Sequence, residues 1–105
     1  MSTTRLSELI QYYKDEPDDP FNVYALALEY LKSDLNKSRE FFNILLTHHE
    51  DYVPAYYHAA KLFADAAQKD IAIRTLEKGI EIARKHNDAK AVRELRSFLD
   101  ELSFD

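Results

Sequence analysis

Apolar residues recur at every third or fourth position along most of the chain, which is the spacing of one face of an α-helix. Polar and turn-forming residues interrupt this pattern at short intervals, and no segment alternates in the manner of a β-strand. We therefore predict six helices, joined by loops short enough to make neighbours antiparallel. Asp19 followed by Pro20 predicts an N-cap and a first helical residue for the second helix, and Asn87–Asp88 predicts the start of the sixth.

The chain also repeats itself at an interval of 33 or 34 residues. The matching pairs are Asp18/Asp51, Val23/Tyr56, Leu26/Ala59, Ala27/Ala60, Tyr30/Phe63, Ser38/Ala72, Phe42/Leu76 and Leu45/Gly79. The one-residue change in offset falls in the turn near Gln68. Small residues in the pattern allow two helices to approach closely, and large residues fill the space between successive pairs. Such a period is typical of helix–turn–helix repeat arrays.

At these positions the chain resembles the tetratricopeptide repeat family. The residues that carry the resemblance are Leu26-Ala27, Tyr30, Ser38, Phe42 and Leu45 in repeat one, and Tyr56, Ala59-Ala60, Phe63, Ala72, Leu76 and Gly79 in repeat two. Pro17 matches the closing proline of a preceding repeat. The sequence departs from the family pattern by lacking a glycine after leucine in both repeats, and by having Val23 at an aromatic position and Glu50 at a proline position.

The resemblance implies an all-α fold, a short right-handed superhelical solenoid of three antiparallel helix pairs in a single domain. We expect an N-terminal helix over approximately 4–15, repeat one over 19–50, repeat two over 51–86 and a capping helix over 88–103. Packing between nearest neighbours would stabilise such an array, with the first and last helices closing its ends.

Composition excludes several classes of site and partner. The chain has 105 residues, a net charge of −5, a single glycine and no cysteine. These counts exclude disulfides, thiolate metal sites and glycine-rich phosphate loops. An acidic chain is a poor general binder of nucleic acid. No apolar run is long enough to span a membrane, and the first residues, Met1–Arg5, lack the apolar core of a signal peptide. We therefore expect a cytoplasmic protein with no nucleic-acid or membrane partner.

Candidate catalytic and metal-binding groups are few. His48 and His49 are adjacent, and adjacent residues of a helix point about 100° apart, so the two rings are poorly placed to share a metal ion. We interpret them instead as a solvated helix end, with cations near the negative end of the helix dipole. The acidic residues at 15–19 lie in a turn between helices, where capping and solvation account for them. Since no nucleophile, metal or phosphate motif is present, we expect no enzyme activity, no metal and no cofactor.

The resemblance implies that the first helix of each repeat lines a concave groove that holds a peptide. The residues that would face this groove are Tyr24 and Leu28 in repeat one, and Tyr57, His58 and Lys61 in repeat two, with Arg93 at the rim. Tyr56 and Tyr57 are neighbours, so one ring should pack inside while the other is at least partly exposed. Exposed aromatic rings flanked by polar groups are common in peptide-binding grooves.

Two alternatives remain open for these tyrosines. They are either groove residues, or ordinary repeat-packing tyrosines or tyrosines that the final helix covers. The two-carboxylate clamp of chaperone-binding family members needs Lys and Asn in successive repeats. Only Lys61 fits that pattern, so we do not expect this chain to bind acidic chaperone tails in that manner.

Residues toward the C-terminal end offer two further surfaces. The basic side chains between Lys78 and Arg96 alternate with acids, which indicates a solvated face with ion pairs one turn apart, or else a positive rim that selects acidic segments. Leu99, Leu102 and Phe104 form an apolar strip that caps the last repeat or pairs two chains. We therefore expect a non-catalytic adaptor for a protein or peptide partner, with a self-associating homodimer as the alternative.

Overall fold

The computed structural model describes residues 4–104, and within that range all regular structure is helical. The six helices are α1 (Arg5–Asp15), α2 (Pro20–Tyr30), α3 (Leu35–His48), α4 (Pro54–Asp65), α5 (Lys69–Lys85) and α6 (Ala89–Ser103). The expected all-α class and helix number are therefore confirmed. The expectation about a signal peptide rests partly on residues 1–3, which lie outside the described residues.

The chain divides into two compact units, Met1–His49 and Glu50–Asp105. The first unit holds α1, α2 and α3, and the second holds α4, α5 and α6. The division falls one residue before the predicted boundary between the two repeats. The single-domain organisation predicted for 1–105 is not tested by this division and stays a prediction.

In the first unit, α2 packs against both α1 and α3. Ser38 is fully buried, and its hydroxyl donates a hydrogen bond of 2.6 Å to the carbonyl oxygen of Ala27, so α3 approaches the backbone of α2 closely. On α3, the Phe41 ring receives the edge of Tyr13 from α1 at 5.4 Å and stacks on Tyr30 from α2 at 5.8 Å. Ser38 and Tyr30, two of the matched repeat positions, therefore join α2 to α3, and the contact between Tyr13 and Phe41 adds α1.

In the second unit, α5 lies against α4 and α6, and α4 also contacts α6. The buried side chains that α4 contributes are Ala55, Tyr56, Ala59, Ala60, Leu62 and Phe63. Those of α5 are Ala72, Thr75, Leu76, Ile80, Ile82 and Ala83, and α6 adds Leu95. Gly79 allows close packing here, because Tyr56 from α4 and Leu95 from α6 occupy the space that a Cβ would need. The capping helix therefore completes the core of this unit.

The helix ends follow the predicted capping chemistry. The Asp19 carboxylate accepts a hydrogen bond of 2.9 Å from the Phe21 amide, and the Asp88 carboxylate accepts one of 3.0 Å from the Ala91 amide. Each interaction satisfies an amide that has no partner within its helix. Pro20 begins α2, as expected.

The connection after α4 spans 66–68 and the one after α2 spans 31–34, so the extra residue predicted for the turn of repeat two lies instead in the last part of α4. Ala67 has a φ of 62°, in the left-handed region, and the following amide of Gln68 donates to the carbonyl of Phe63 at 2.8 Å. This pattern ends a helix sharply. Asn87 has a φ of 56° after α5, where the amide of Asp88 donates to Ala83. Left-handed residues thus reverse the chain at both turns of the second unit.

Among the described residues, no helix combines the length and the apolar character that a membrane crossing requires.

Candidate functional site

Helix α4 carries two neighbouring tyrosines, one of which is buried and one of which is exposed. Tyr56 is 2% exposed and belongs to the core, whereas Tyr57 is 39% exposed. The difference arises because successive helical residues point about 100° apart. The expectation that one ring packs inside and the other reaches the surface is confirmed. Tyr57 is the only exposed large apolar side chain that α4 contributes among the described residues.

The Tyr57 ring is held by two neighbours in the same unit. Phe98 of α6 packs against it in a tilted arrangement, with the ring centroids 5.2 Å apart. His58 meets it edge-on at 5.8 Å. Burial lowers the pKa of the half-buried His58 imidazole, which favours the neutral ring at pH 7. The capping helix therefore covers part of the Tyr57 ring, and the remainder stays at the surface.

Lys61 lies one turn after Tyr57, on the same exposed face of α4. Its ammonium group forms an ion pair of 3.4 Å with Asp65, and both side chains are largely in solvent. An exposed pair at this spacing contributes roughly 0.3–0.5 kcal/mol. A carboxylate of another molecule can therefore compete with Asp65 at little cost.

On α2, the predicted residues Tyr24 and Leu28 are one turn apart and half-buried. Phe21 is near the start of the same helix and is 60% exposed. It precedes Leu28 by seven residues, so the two side chains lie on one side of α2. This surface is apolar along its length, whereas the corresponding surface of α4 carries a charged pair.

Arg93 is exposed on α6, but it does not join Phe98 and Tyr57. It precedes Phe98 by five residues, which places the two side chains about 140° apart around the helix. Within the second unit, the structure thus brings together Tyr57, His58 and Lys61, and leaves Arg93 on another face.

Tyr56 has a structural role that also perturbs its ionisation. Its hydroxyl donates a hydrogen bond of 2.7 Å to the carbonyl oxygen of Glu50, which ties the turn before α4 to the core. Burial, followed by the negative charges of Glu50, Asp51 and Glu81, raises the pKa of Tyr56 to about 12. Because the folded state favours the neutral phenol, this stabilisation is complete below the unfolded pKa of about 10. It is lost as the pH rises from there toward 12.

We expect Tyr56→Phe to lower the free energy of unfolding by about 1 kcal/mol at pH 7, because the hydrogen bond to Glu50 is lost. Denaturant titration followed by circular dichroism measures this difference. Above pH 10 the wild type loses stability relative to the variant, since only the wild type must keep a buried phenol neutral. If the difference in free energy of unfolding between wild type and variant stays constant from pH 7 to 12, the raised pKa of Tyr56 is contradicted.

No group of three His, Asp or Glu side chains that could hold a metal ion occurs among the described residues. His48 lies in the last turn of α3, and His49 follows as its C-cap residue, where its backbone amide donates to Leu45. The two histidines therefore lie at a helix end, as their interpretation as solvated helix-end residues predicts.

Sequence reasoning missed Phe21, Phe98 and Tyr12 as surface or site residues. Phe21 could have been found from its seven-residue spacing to Leu28 on a helix with a single charged residue. Phe98 has no such signal, because its contact with Tyr57 depends on how α6 packs against α4. Tyr12 is 57% exposed although its neighbour Tyr13 faces α3.

Comparison with known proteins places these elements in a family. No protein-family model matches the chain, and no curated protein matches it. Among solved structures, the solution NMR structure of a tetratricopeptide repeat domain protein from Salinibacter ruber is 38% identical, with a TM-score of 0.80, over 84% of this chain and 90% of that one. A crystal structure of a tetratricopeptide repeat domain protein from the same organism is 36% identical, with a TM-score of 0.79, over 83% of this chain and 100% of that one. Together with the repeat pattern and the helix pairs, this similarity shows that the chain belongs to the tetratricopeptide repeat family.

Proposed function

We propose that this chain is a non-catalytic protein-interaction module, which binds a peptide or helix of a partner protein through the groove-facing residues predicted from the sequence. Tyr24 and Leu28 provide the contacts on α2. Tyr57, His58 and Lys61 provide them on α4, and Arg93 contributes only charge at the edge of α6. The partner is a protein, and neither a cofactor nor a metal takes part. Family membership supports this class of function.

The exposed Tyr57 ring is the observation that carries the proposal. Tyr57 is 39% exposed, while Phe98 and His58 contact its ring. Such a ring offers apolar contact area with little loss of side-chain entropy on binding. Lys61, one turn away, adds a cation that selects partners with a nearby carboxylate.

The test is a pull-down from host lysate with wild type and the double variant Tyr57→Ala/Lys61→Glu as baits, followed by mass spectrometry. Both substituted side chains are exposed, so circular dichroism should show unchanged helix content. We expect at least one protein to be retained by the wild type and lost by the variant. Aromatic anchors at interfaces commonly contribute 2 kcal/mol or more, roughly a thirtyfold change in affinity.

A matched control variant is Leu35→Ala/Lys90→Glu. It removes an exposed apolar side chain and reverses the charge of a lysine. This lysine pairs with Glu94 one turn away, just as Lys61 pairs with Asp65. We expect this variant to retain the same proteins as the wild type. Equal retention by all three baits would contradict the proposed binding face.

The alternative function is self-association into a homodimer. Phe104, after the end of α6, is almost fully exposed, and a second copy could cover it together with Leu99 and Leu102. Light scattering separates the two functions. A strict monomer at high protein concentration would eliminate the dimer, while a dimer that Phe104→Ser dissociates would favour it.

A further inference from the structure

Two large aromatic side chains are exposed at the end of the first unit where α1 leads into α2. Tyr12 is 57% exposed and Phe21 is 60% exposed. The side-chain amide of Asn22 donates to the carbonyl oxygens of Tyr12 at 3.2 Å and Glu16 at 3.0 Å. The backbone next to Phe21 therefore lies against the last turn of α1. We refer to Tyr12 and Phe21 as the aromatic patch.

The aromatic patch is turned away from α3. Contacts with α3 are made by Tyr13 on α1 and by the carbonyl of Ala27 on α2. Tyr12 is one residue from Tyr13, so it points about 100° away from that contact. Phe21 is six residues from Ala27, which turns it by about 120°. Both rings are more than half exposed, so most of their surface is left outside the packing that joins α1, α2 and α3.

The turn beside the patch is acidic, and the only basic residue in the adjoining last turn of α1 is Lys14. Its carboxylates belong to Asp15, Glu16, Asp18 and Asp19. Asp15 accepts a hydrogen bond from Gln11, and Asp19 caps α2. In the part of the chain that the structure describes, no Lys or Arg forms an ion pair with any of the four.

The equivalent turn of repeat two provides an internal comparison. Asp51, which matches Asp18 in the repeat, lies 3.5 Å from the imidazole of His86. Its neighbour Glu50 lies 4.0 Å from the ammonium group of Lys78. In the second unit, Lys78 of α5 and the imidazole of His86 therefore lie beside the acidic turn, whereas no ion pair involves the first-unit turn among residues 4–104. Pro54 occupies the place of Phe21, so the second turn also lacks the exposed ring.

We propose that the aromatic patch and the acidic turn together bind a cationic segment of a partner protein. An apolar or aromatic side chain of this segment packs on Phe21 and Tyr12, while its Lys or Arg side chains face Glu16 and Asp18. Charge complementarity favours this occupant, because a neutral segment would leave the acidic turn without countercharge. A guanidinium group can also stack on the exposed rings. The inference rests on the proposed protein-binding function and names its class of partner.

The experiment is a selection from a displayed library of short random peptides on the full chain, followed by affinity measurements with the enriched peptides. Two variants probe the surface, Tyr12→Ala/Phe21→Ala for the rings and Glu16→Gln/Asp18→Asn for the charges. Asp19 is kept because it caps α2. The control is Leu35→Ala/Glu77→Gln, which changes an exposed apolar side chain and an exposed acid elsewhere. Circular dichroism checks that every variant is folded.

We expect enriched peptides to carry net positive charge together with a leucine or an aromatic residue. Each of the two surface variants should weaken their binding by about tenfold, and the control should not. Added salt should weaken binding to the wild type more than binding to the Glu16→Gln/Asp18→Asn variant.

Three outcomes would overturn the inference. They are enrichment of neutral or acidic peptides, no enrichment at all, and equal binding by the wild type and both surface variants. The variant Tyr57→Ala/Lys61→Glu distinguishes this inference from the proposed function. Peptides lost only by that variant would overturn the cationic-segment site while supporting the α4 face. Peptides that bind every variant as tightly as the wild type would contradict both the cationic-segment site and the α4 face.

Discussion

Phe42→Ala is expected to lower the free energy of unfolding by about 3–5 kcal/mol, the usual cost of truncating a buried phenylalanine. Phe42 is 0% exposed and lies at the centre of α3, so the surrounding helices would have to collapse around the cavity or leave it empty. A total stability of about 5–15 kcal/mol is typical of small domains, so this loss would bring α1–α3 close to unfolding at room temperature.

Thermal denaturation followed by circular dichroism measures the effect, and hydrogen exchange locates it in the chain. We expect the amides of α1, α2 and α3 to lose protection in the variant. The matched control is Phe21→Ala, which removes the same side chain from a position that is 60% exposed. It should change stability by less than about 1 kcal/mol. Similar melting temperatures for Phe42→Ala and the wild type would contradict the packing described for the first unit.

Much of this fold is visible in the sequence because its packing is local and repetitive. The small residues at matching positions mark where paired helices approach, and the Ser38–Ala27 contact is the direct result. Asp19 and Asp88 mark helix starts through chemistry that involves only the next few residues. Such signals need no knowledge of distant contacts, and for this reason the six helices were predictable.

The candidate site was predictable only in part, for a physical reason. Helical geometry alone separates the buried Tyr56 from the exposed Tyr57. How much of the Tyr57 ring remains accessible depends on Phe98, which is 41 positions further along the chain. That contact is set by the way in which α6 packs on α4 and α5, and periodicity within one helix carries no information about it. The left-handed conformation of Ala67 is equally hidden, since alanine rarely adopts it.

Gly79→Ala is expected to destabilise the second unit, although alanine is the better helix former. In an exposed helix this substitution stabilises by about 1 kcal/mol. Here an added Cβ would lie 2.7 Å from the Cβ of Tyr56, 2.9 Å from its Cγ and 3.2 Å from Cδ1 of Leu95. Tyr56 has little freedom to move, because it is buried and its hydroxyl is bonded to the carbonyl of Glu50.

Overpacking of this kind costs about 1–3 kcal/mol, so after the gain in helix propensity we expect a net loss of up to about 2 kcal/mol in denaturant titrations. Glu77→Ala, at an exposed position two residues earlier in α5, is the control and should change stability by less than about 0.5 kcal/mol. The double variant Gly79→Ala/Tyr56→Ala should lose less than the two single losses combined, because removing the ring relieves the clash. A gain in stability for Gly79→Ala alone would show that α4 and α5 are further apart than the structure places them. Helix propensity would then be the dominant effect at this position.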